Sequence, residues 1–329
     1  MSPTVKGALE RSIPSLRFRA DSRSLTFLAL YSLSVASGFV FWDVLAFPSL
    51  ALMSAITCFA AFVVAVIVHN TVHAPMFRRD THNRWMQVFL SVAYGHPVSA
   101  YVSGHNLSHH VHTQTAKDVM RTSKLRFRWN LLNGLLFFLR VVPDIHRANV
   151  AFAAAMKTQR PRWHAQYRLE TWVVLAVSVA LAVLHWKAFL LFFVLPHAFG
   201  AWGIVSVNYL QHDGCDHGSR YDHSRNFTGR ALNWVLLNNG FHGIHHMQPR
   251  LHWSLLPEAH RELLAPHITP VLDQVSVARY LWRTFVWPAH RLDYLGRNTE
   301  LSPEVPDDDW KPAPSEVPET ACWGAEQGR

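Results

Sequence analysis

Histidine is the residue type that could do chemistry in this chain, because it is abundant and several histidines fall into short groups. Of 22 histidines among 329 residues, eight fall into three short groups, and a ninth, His212, stands alone one helical turn after Asn208. Separations of three or four residues place imidazoles on one helix face, a turn apart. The nine candidate ligands are His69, His73, His105, His109, His110, His212, His242, His245 and His246.

Convergence of these imidazoles would create a transition-metal site. The groups read HNTVH, HNLSHH and HGIHH. One HxxxH pair is weak evidence in a chain so rich in histidine, but three groups with an isolated histidine favour ligation. Nine ligands suit two ions of five or six coordination. Imidazole binds zinc, copper, iron or nickel. Carboxylates that orient the imidazoles are expected nearby, and the nearest are Asp118, Asp213 and Asp216.

The composition is that of a membrane protein. Half of the residues are hydrophobic and only 16% are charged, against ~25% in soluble proteins. The net charge of +9 could indicate nucleic-acid binding, but the basic residues flank apolar runs, as the positive-inside rule describes. Nucleic acid is therefore not an expected partner. The cysteines, Cys58, Cys215 and Cys322, form no CxxC motif and no disulfide framework.

Four apolar runs predict an all-α integral membrane fold with two helical hairpins and a cytoplasmic helical cap. Residues 1–24 are basic and are interpreted as a cytoplasmic leader, and residues 301–329 as a disordered tail. A basic leader places both termini and the histidine groups on the cytoplasmic side of a bacterial inner membrane. The predicted spans are residues 25–47, 49–68, 171–186 and 188–210.

The histidine groups, in this order and membrane setting, resemble those of the histidine-box superfamily of membrane fatty acid desaturases and hydroxylases. The segment NYLQHDG around His212 is similar to an extra histidine segment of membrane alkane hydroxylases. The stretch HHMQPRLHWSLLPEAH, residues 245–260, resembles the continuation of the family's third box. The resemblance covers about residues 49–267 and assigns residues 25–300 to a membrane fatty acid desaturase-like domain.

This resemblance implies a four-span fold, a non-haem diiron centre held by the nine histidines, and O2-dependent oxidation of a fatty acyl or alkyl chain. Asn208 falls where stearoyl-CoA desaturases place a water-bridging asparagine. The first expectation is a fatty acid desaturase. Hydroxylation of a fatty acid or alkane, and oxidative decarboxylation of a free fatty acid to a terminal alkene, stay open because residues 112–130 depart from the usual desaturase continuation.

Electrons for such a reaction need an external donor, because the sequence has no cysteine set for an iron–sulfur cluster, no GxGxxG and no HPGG-like haem segment. A ferredoxin- or rubredoxin-like protein is implied, and Arg121, Lys124, Arg126 and Arg128 could form a basic rim for it or for anionic lipid. A membrane zinc hydrolase is the alternative of another class, but no histidine group contains glutamate. A metal transporter would place its ligands at mid-membrane.

Overall fold

The computed structural model describes residues 15–299, 301, 303–306 and 308, and this part of the chain is mainly helical. It divides into two units. The described residues of the first unit are 15–101 and 155–203; those of the second are 102–154 and 204 onward. Most of the predicted leader and tail, residues 1–14, 302, 307 and 309–329, lies outside the described residues.

The longer helices are α1 (Asp21–Val40), α2 (Phe47–His73), α3 (Asp80–Tyr94), α4 (Asn130–Gln159), α5 (Pro161–Phe189) and α6 (Leu195–His212). Short helices follow in the last third of the chain: α7 (Arg230–Val235), α8 (His242–Met247), α9 (Leu256–Ala259) and α10 (Val277–Leu281). Strands β1 (Asn226–Phe227) and β2 (Asp273–Gln274) pair in parallel. Stretches of π-helix occur at Val102–His109, Leu190–Val194, His260–Leu264 and Trp282–Val286.

Three helical segments of the described chain are long and apolar enough to cross a membrane: Asp21–Val40, Phe47–His73 and Pro161–His212. The first two overlap the two predicted spans of the first hairpin, residues 25–47 and 49–68. The third contains both remaining predicted spans, and His185 interrupts it with extended backbone (φ −162°, ψ 94°) where the sequence predicts a link. The side chain of His185 accepts a hydrogen bond from the Ala188 N–H at 3.1 Å. The two-hairpin topology and the cytoplasmic cap stay predictions.

In the first unit, α2 packs closely against residues 190–203. The Ser54 hydroxyl donates to the carbonyl of Leu191 at 2.8 Å, and residues 64–68 are fully buried. Glycine permits the approach, because a Cβ on Gly200 would lie 2.8 Å from the Ala61 carbonyl oxygen and one on Gly203 would lie 2.7 Å from the Phe62 ring. Small residues of this kind allow apolar helices to pack without a polar partner.

The second unit carries most of the histidine groups. Its core packs Phe137 and Val141 of α4, Tyr209 of α6 and Phe227 of β1 against Tyr280 of α10. The paired strands connect a loop that follows α6 to the segment that precedes α10, with Asn226 opposite Asp273. The side chain of Asn226 accepts a hydrogen bond from the Gly243 N–H at 2.8 Å, which fixes the start of α8.

Gly200→Ala is expected to lower the thermal stability of the purified protein in detergent. Alanine favours a helix over glycine by ~1 kcal/mol, but its Cβ would meet the Ala61 carbonyl oxygen at 2.8 Å and force the helices apart. We expect a net loss of ~1–3 kcal/mol, measured as a lower unfolding midpoint.

Gly218→Ala is the matched control, because a Cβ there meets only the Asp216 side chain at 3.5 Å. An unfolding midpoint for Gly200→Ala at or above that of the parent protein would contradict the close packing of α2 and α6.

Candidate metal centre

The HNLSHH group lies on a π-helix rather than on the α-helix that its spacing predicts. In Val102–His109 the hydrogen bonds run from i to i+5, so residues five apart approach one another. The Nε2 atoms of His105 and His110 are 3.1 Å apart. His105 and His109, four residues apart, also lie close together, with ring centroids 5.5 Å apart.

Three histidines of the second unit form what we call cluster A: His105, His110 and His245. The Nε2 atom of His110 lies 3.1 Å from that of His105 and 3.2 Å from that of His245. His105 and His245 are buried and His110 is partly buried. Two segments separated by more than a hundred residues thus present ring nitrogens to the same point.

Four more histidines of this unit form cluster B: His109, His212, His242 and His246. The Nε2 atoms of His212, His242 and His246 are 2.9–3.2 Å apart in all three pairs. His109 belongs to the same group, with all four ligand atoms within 4.8 Å of one another. Cluster B connects His242 and His246 of α8 with His212, the last residue of α6. His212, isolated in sequence, is therefore part of a site.

The clusters are adjacent because two pairs of consecutive histidines divide between them. His109 and His246 belong to cluster B, whereas their neighbours His110 and His245 belong to cluster A. The rings of His110 and His246 stack with centroids 4.2 Å apart. Consecutive residues on a helix point in different directions, and each pair can therefore contribute one imidazole to each cluster.

His69 and His73 lie in the first unit, at the end of α2. Their ring centroids are 5.2 Å apart, as a separation of four residues on an α-helix predicts. His69 is buried, and its Nδ1 lies 3.4 Å from the side-chain oxygen of Asn70. The sequence prediction that these two histidines act together with the other seven stays a prediction.

The spacing within both clusters fits a metal ion. Imidazole nitrogens bind such ions at ~2.1 Å, so two of them at a right angle lie ~3.0 Å apart, and at a tetrahedral angle ~3.4 Å. The separations of 2.9–3.2 Å lie within the range that two ligands of one ion span. The Nε2 of His109 is buried without a hydrogen-bond partner among the described residues, as a metal ligand would be.

Contacts at Nδ1 determine that Nε2 is the atom available to a metal in three imidazoles of cluster B. The Nδ1–H of His109 donates to the Asp118 carboxylate at 2.9 Å, and that of His212 to the backbone carbonyl of His223 at 3.1 Å. The Nδ1 of His246 lies 3.4 Å from the Thr113 hydroxyl. These contacts leave Nε2 as the free acceptor in each ring.

The electrostatics favour neutral imidazoles beside a charged carboxylate. Burial, with the neighbouring histidines, lowers the pKa of His246 well below its ordinary value. Burial alone would raise the pKa of Asp118, but the contact with His109 and hydrogen bonds from the Gln114 and Met120 N–H groups lower it. A neutral imidazole is the form that binds a metal.

Of the three carboxylates predicted to orient the imidazoles, only Asp118 contacts a cluster histidine among the described contacts. Asp213 instead forms a buried ion pair with Arg291, and Asp216 accepts a hydrogen bond from the Gly218 N–H at 3.1 Å. Sequence reasoning missed Thr113 and the carbonyl of His223. Thr113 follows His109 by one helical turn, which could have indicated it, whereas no pattern marks a backbone carbonyl.

Asn208 lies on α6 one turn before His212 and is 7% exposed. Its Nδ2 is buried and has no hydrogen-bond partner in the part of the chain that the structure describes. An unsatisfied amide costs ~1–3 kcal/mol, so a water or another ligand at this position would stabilise it. Among the described residues, no side chain or backbone group accepts a hydrogen bond from this amide nitrogen.

The predicted basic rim is only partly exposed, because Arg126 and Arg128 face solvent whereas Arg121 and Lys124 do not. Arg121 is only 3% exposed and donates to the backbone carbonyls of Asp118 and Val305, and Lys124 forms a buried ion pair with Asp144. Arg126 is exposed and pairs with Glu304 at 2.9 Å. Arg121 and Lys124 thus stabilise the loop that carries Asp118, and the prediction that a donor protein binds at this rim stays a prediction.

Comparisons with known proteins give a consistent picture. The family model for fatty acid desaturase matches residues 42–272, a range that contains all nine candidate ligands. The chain is 27% identical over 201 residues to alkane 1-monooxygenase 1 of Alcanivorax borkumensis and 27% identical over 195 residues to alkane 1-monooxygenase of Pseudomonas putida. Each match covers 55% of this chain and 46% of the relative, so the chain spans about half the length of these proteins.

Asp118→Asn is expected to weaken metal binding. The carboxylate fixes the ring of His109 through a 2.9 Å hydrogen bond, and loss of such a contact typically costs 10–100-fold in metal affinity or activity. Metal content after dialysis against a graded chelator measures the change. Asp216→Asn is the control, since Asp216 accepts from Gly218 rather than from a cluster histidine; equal metal retention in both variants would contradict the role of Asp118.

Proposed function

We propose, since this chain belongs to the fatty acid desaturase family, that it is a membrane diiron oxidase that uses O2 to oxidise a fatty acyl or alkyl chain. The match over residues 42–272 supports the class of reaction. The observation that carries the proposal is the pair of adjacent histidine clusters, in each of which the ring nitrogens lie close enough to share a metal ion. Desaturation of a fatty acid is the reaction that we expect first.

We further propose that His69 and His73 complete cluster A. Three imidazoles leave a five- or six-coordinate ion with open positions, and the two rings at the end of α2 are spaced for a shared ligand role. Nine histidines would then hold two iron ions, five around one and four around the other. Iron bound there would supply the activation of O2 that removal of hydrogen from an unactivated methylene requires.

The chain's own residues would position and shield this chemistry. Asp118 and the carbonyl of His223 hold the rings of His109 and His212 in the tautomer that presents Nε2. His109 and His212 are fully buried, so bulk water is excluded from cluster B. Pre-positioned ligands and a dry site are what the protein contributes to a reaction whose chemistry belongs to the metal.

Asn208 is proposed to hold a water molecule at cluster B. Its buried Nδ2 lacks a partner among the described residues, and it lies one helical turn from His212. Cluster B offers four imidazoles against the five assigned to the other ion, so a water held by Asn208 would complete its coordination.

Hydroxylation is the second candidate, because the two relatives that the chain matches are alkane 1-monooxygenases. Oxidative decarboxylation to a terminal alkene would use the same metal centre and a free fatty acid. A zinc hydrolase is less consistent with the sequence, because no histidine group contains the glutamate that would act as its base.

The setting proposed for the enzyme is a multi-pass membrane protein with its termini and metal centre on the cytoplasmic side. Three apolar helical segments support insertion, and the basic residues that flank them support the orientation. Electrons would come from a separate ferredoxin- or rubredoxin-like protein. The described cysteines, Cys58 and Cys215, are both buried and far apart in sequence, which agrees with an external source.

Iron analysis and product analysis of His246→Ala test the proposal. His246 lies 3.1–3.2 Å from two other cluster nitrogens, so its loss should lower bound iron and abolish O2-dependent conversion of fatty acids. We expect two irons per parent chain, measured by metal analysis, and an internal alkene by gas chromatography. An alcohol or a terminal alkene would assign hydroxylation or decarboxylation instead.

His82→Ala is the matched control, because His82 is exposed on α3 in the first unit and outside every histidine group. It should retain iron and turnover. Stoichiometric zinc with no iron in the parent protein, or equal losses in both variants, would overturn the diiron assignment.

Asn208→Leu is expected to reduce turnover at least tenfold, ~1.4 kcal/mol of barrier, while the protein stays folded and loaded with iron. Leucine removes the amide that would hold the water but keeps a similar volume. Val207→Leu on the same helix controls for added bulk. Unchanged turnover per folded, iron-loaded molecule would remove Asn208 from the site, and a loss of thermal stability alone would show a structural role.

A further inference from the structure

A second polar site lies in the second unit, apart from the histidine clusters. It is a cavity of about 150 Å³ beside β2 and α10. Three cationic or potentially cationic side chains line it, Arg225, Arg283 and His290, and no described lining residue is acidic. The motifs of the sequence analysis include none of these three residues, and the proposed oxidation does not use them.

Arg225 is buried, and in the described part of the chain it forms no ion pair. It is 2% exposed, and its Nη1 donates to the carbonyls of Leu210 and Asp213, each at 2.8 Å. Among the described residues, no carboxylate lies within ion-pair distance of its guanidinium, and its Nε has no hydrogen-bond partner. Buried arginines are almost always paired, because an isolated charge is costly to remove from water.

The nearest carboxylate is already committed to another arginine. Asp213 binds Arg291 through both carboxylate oxygens, and both side chains are buried. Asp213 is thus paired with Arg291, and Arg225 has no carboxylate of its own among the described residues. The ring of Tyr280, 4.7 Å from the Arg225 guanidinium, offers a cation–π contact, but such a contact offsets only ~2 kcal/mol or a little more.

The mouth of the cavity adds to the positive potential. Arg283 and His290 are exposed, and the His290 N–H donates to the Arg283 carbonyl at 3.0 Å, which keeps the two residues together. The remaining walls include apolar side chains such as Val271 and Leu292. A cationic interior with apolar walls suits an anion that carries an apolar chain better than a free inorganic ion.

We propose that this cavity binds the carboxylate or phosphate group of an amphiphilic anion, with Arg225 as its buried partner and Arg283 and His290 at the entrance. The assignment of an anion rests on the buried charge of Arg225 and does not depend on the proposed function. The assignment of a lipid-type chain rests also on the proposed function, since a fatty acid or a lipid phosphate is the anion that a membrane lipid oxidase meets. Because Arg225 holds the carbonyls of Leu210 and Asp213, the bound anion would adjoin the backbone on either side of His212.

Calorimetric titration of the purified, iron-loaded full chain in a non-ionic detergent tests the site. The probes are hexanoate, hexyl phosphate, hexan-1-ol and inorganic phosphate, which are soluble enough to limit partition into micelles. We expect saturable binding of hexanoate or hexyl phosphate and none of hexan-1-ol. Tighter binding of hexanoate identifies a free fatty acid as the source, and tighter binding of hexyl phosphate identifies a lipid phosphate.

The double variant Arg283→Gln/His290→Gln should weaken binding of the anion at least tenfold without loss of iron. Both residues are exposed, so these changes spare the core, whereas Arg225→Gln would also remove two hydrogen bonds to the backbone. Arg279→Gln is the matched control, because Arg279 is exposed on α10 and does not line the cavity.

Equal affinity of the parent protein and the double variant, or equal binding of hexan-1-ol, would overturn the anion site. Inorganic phosphate binding as tightly as hexyl phosphate would overturn the chain-bearing ligand. Product analysis on the same preparations separates the two proposals: oxidised product without anion binding overturns this site alone, and anion binding without oxidised product overturns the proposed function alone.

Discussion

The convergence of buried imidazole nitrogens is the constraint on which the second unit depends. Without a metal ion, hydrogen bonds between rings can satisfy only some of the Nε2 atoms that lie 2.9–3.2 Å apart, and the remaining lone pairs face one another at a cost in free energy. A shared metal ion converts this cost into stabilisation, because each lone pair then has a partner. The helices that carry these residues are short or irregular, and metal binding is therefore expected to contribute directly to their stability.

The long apolar elements could be predicted from the sequence, because their length and composition suffice. Helices α1 and α2 lie over the first two apolar runs, although α1 ends at Val40 rather than at residue 47. Helix α4, from Asn130 to Gln159, is not among the predicted spans, and it is stabilised by burial of Phe137, Val141, Phe152 and Met156. Tertiary contacts of this kind leave no local pattern.

The nine candidate ligands could be proposed from the sequence, but the division of seven of them between two clusters could not. Helical spacing identifies which histidines share a face only if the helix type is known, and the π-helix at Val102–His109 changes that spacing from four residues to five. The pairing of His105 with His110 follows from this backbone geometry. Asp118 could be proposed from its nearness in sequence, whereas Asp213, equally near to a ligand, serves Arg291 instead.

Arg225 and Arg291, which lie outside every histidine group, support the chain around His212, and spacing alone could not reveal their role. His212 ends α6, where the helix leaves its final carbonyls without partners. Arg225 satisfies those of Leu210 and Asp213, and Arg291 holds the adjacent carboxylate from nearly 80 residues away. Basic side chains stabilise the negative end of a helix dipole, so this arrangement fixes the position of a ligand while it gathers two positive charges behind it. The same physical requirement, to complete a helix end that carries a ligand, thus produces the buried excess of positive charge at the neighbouring cavity.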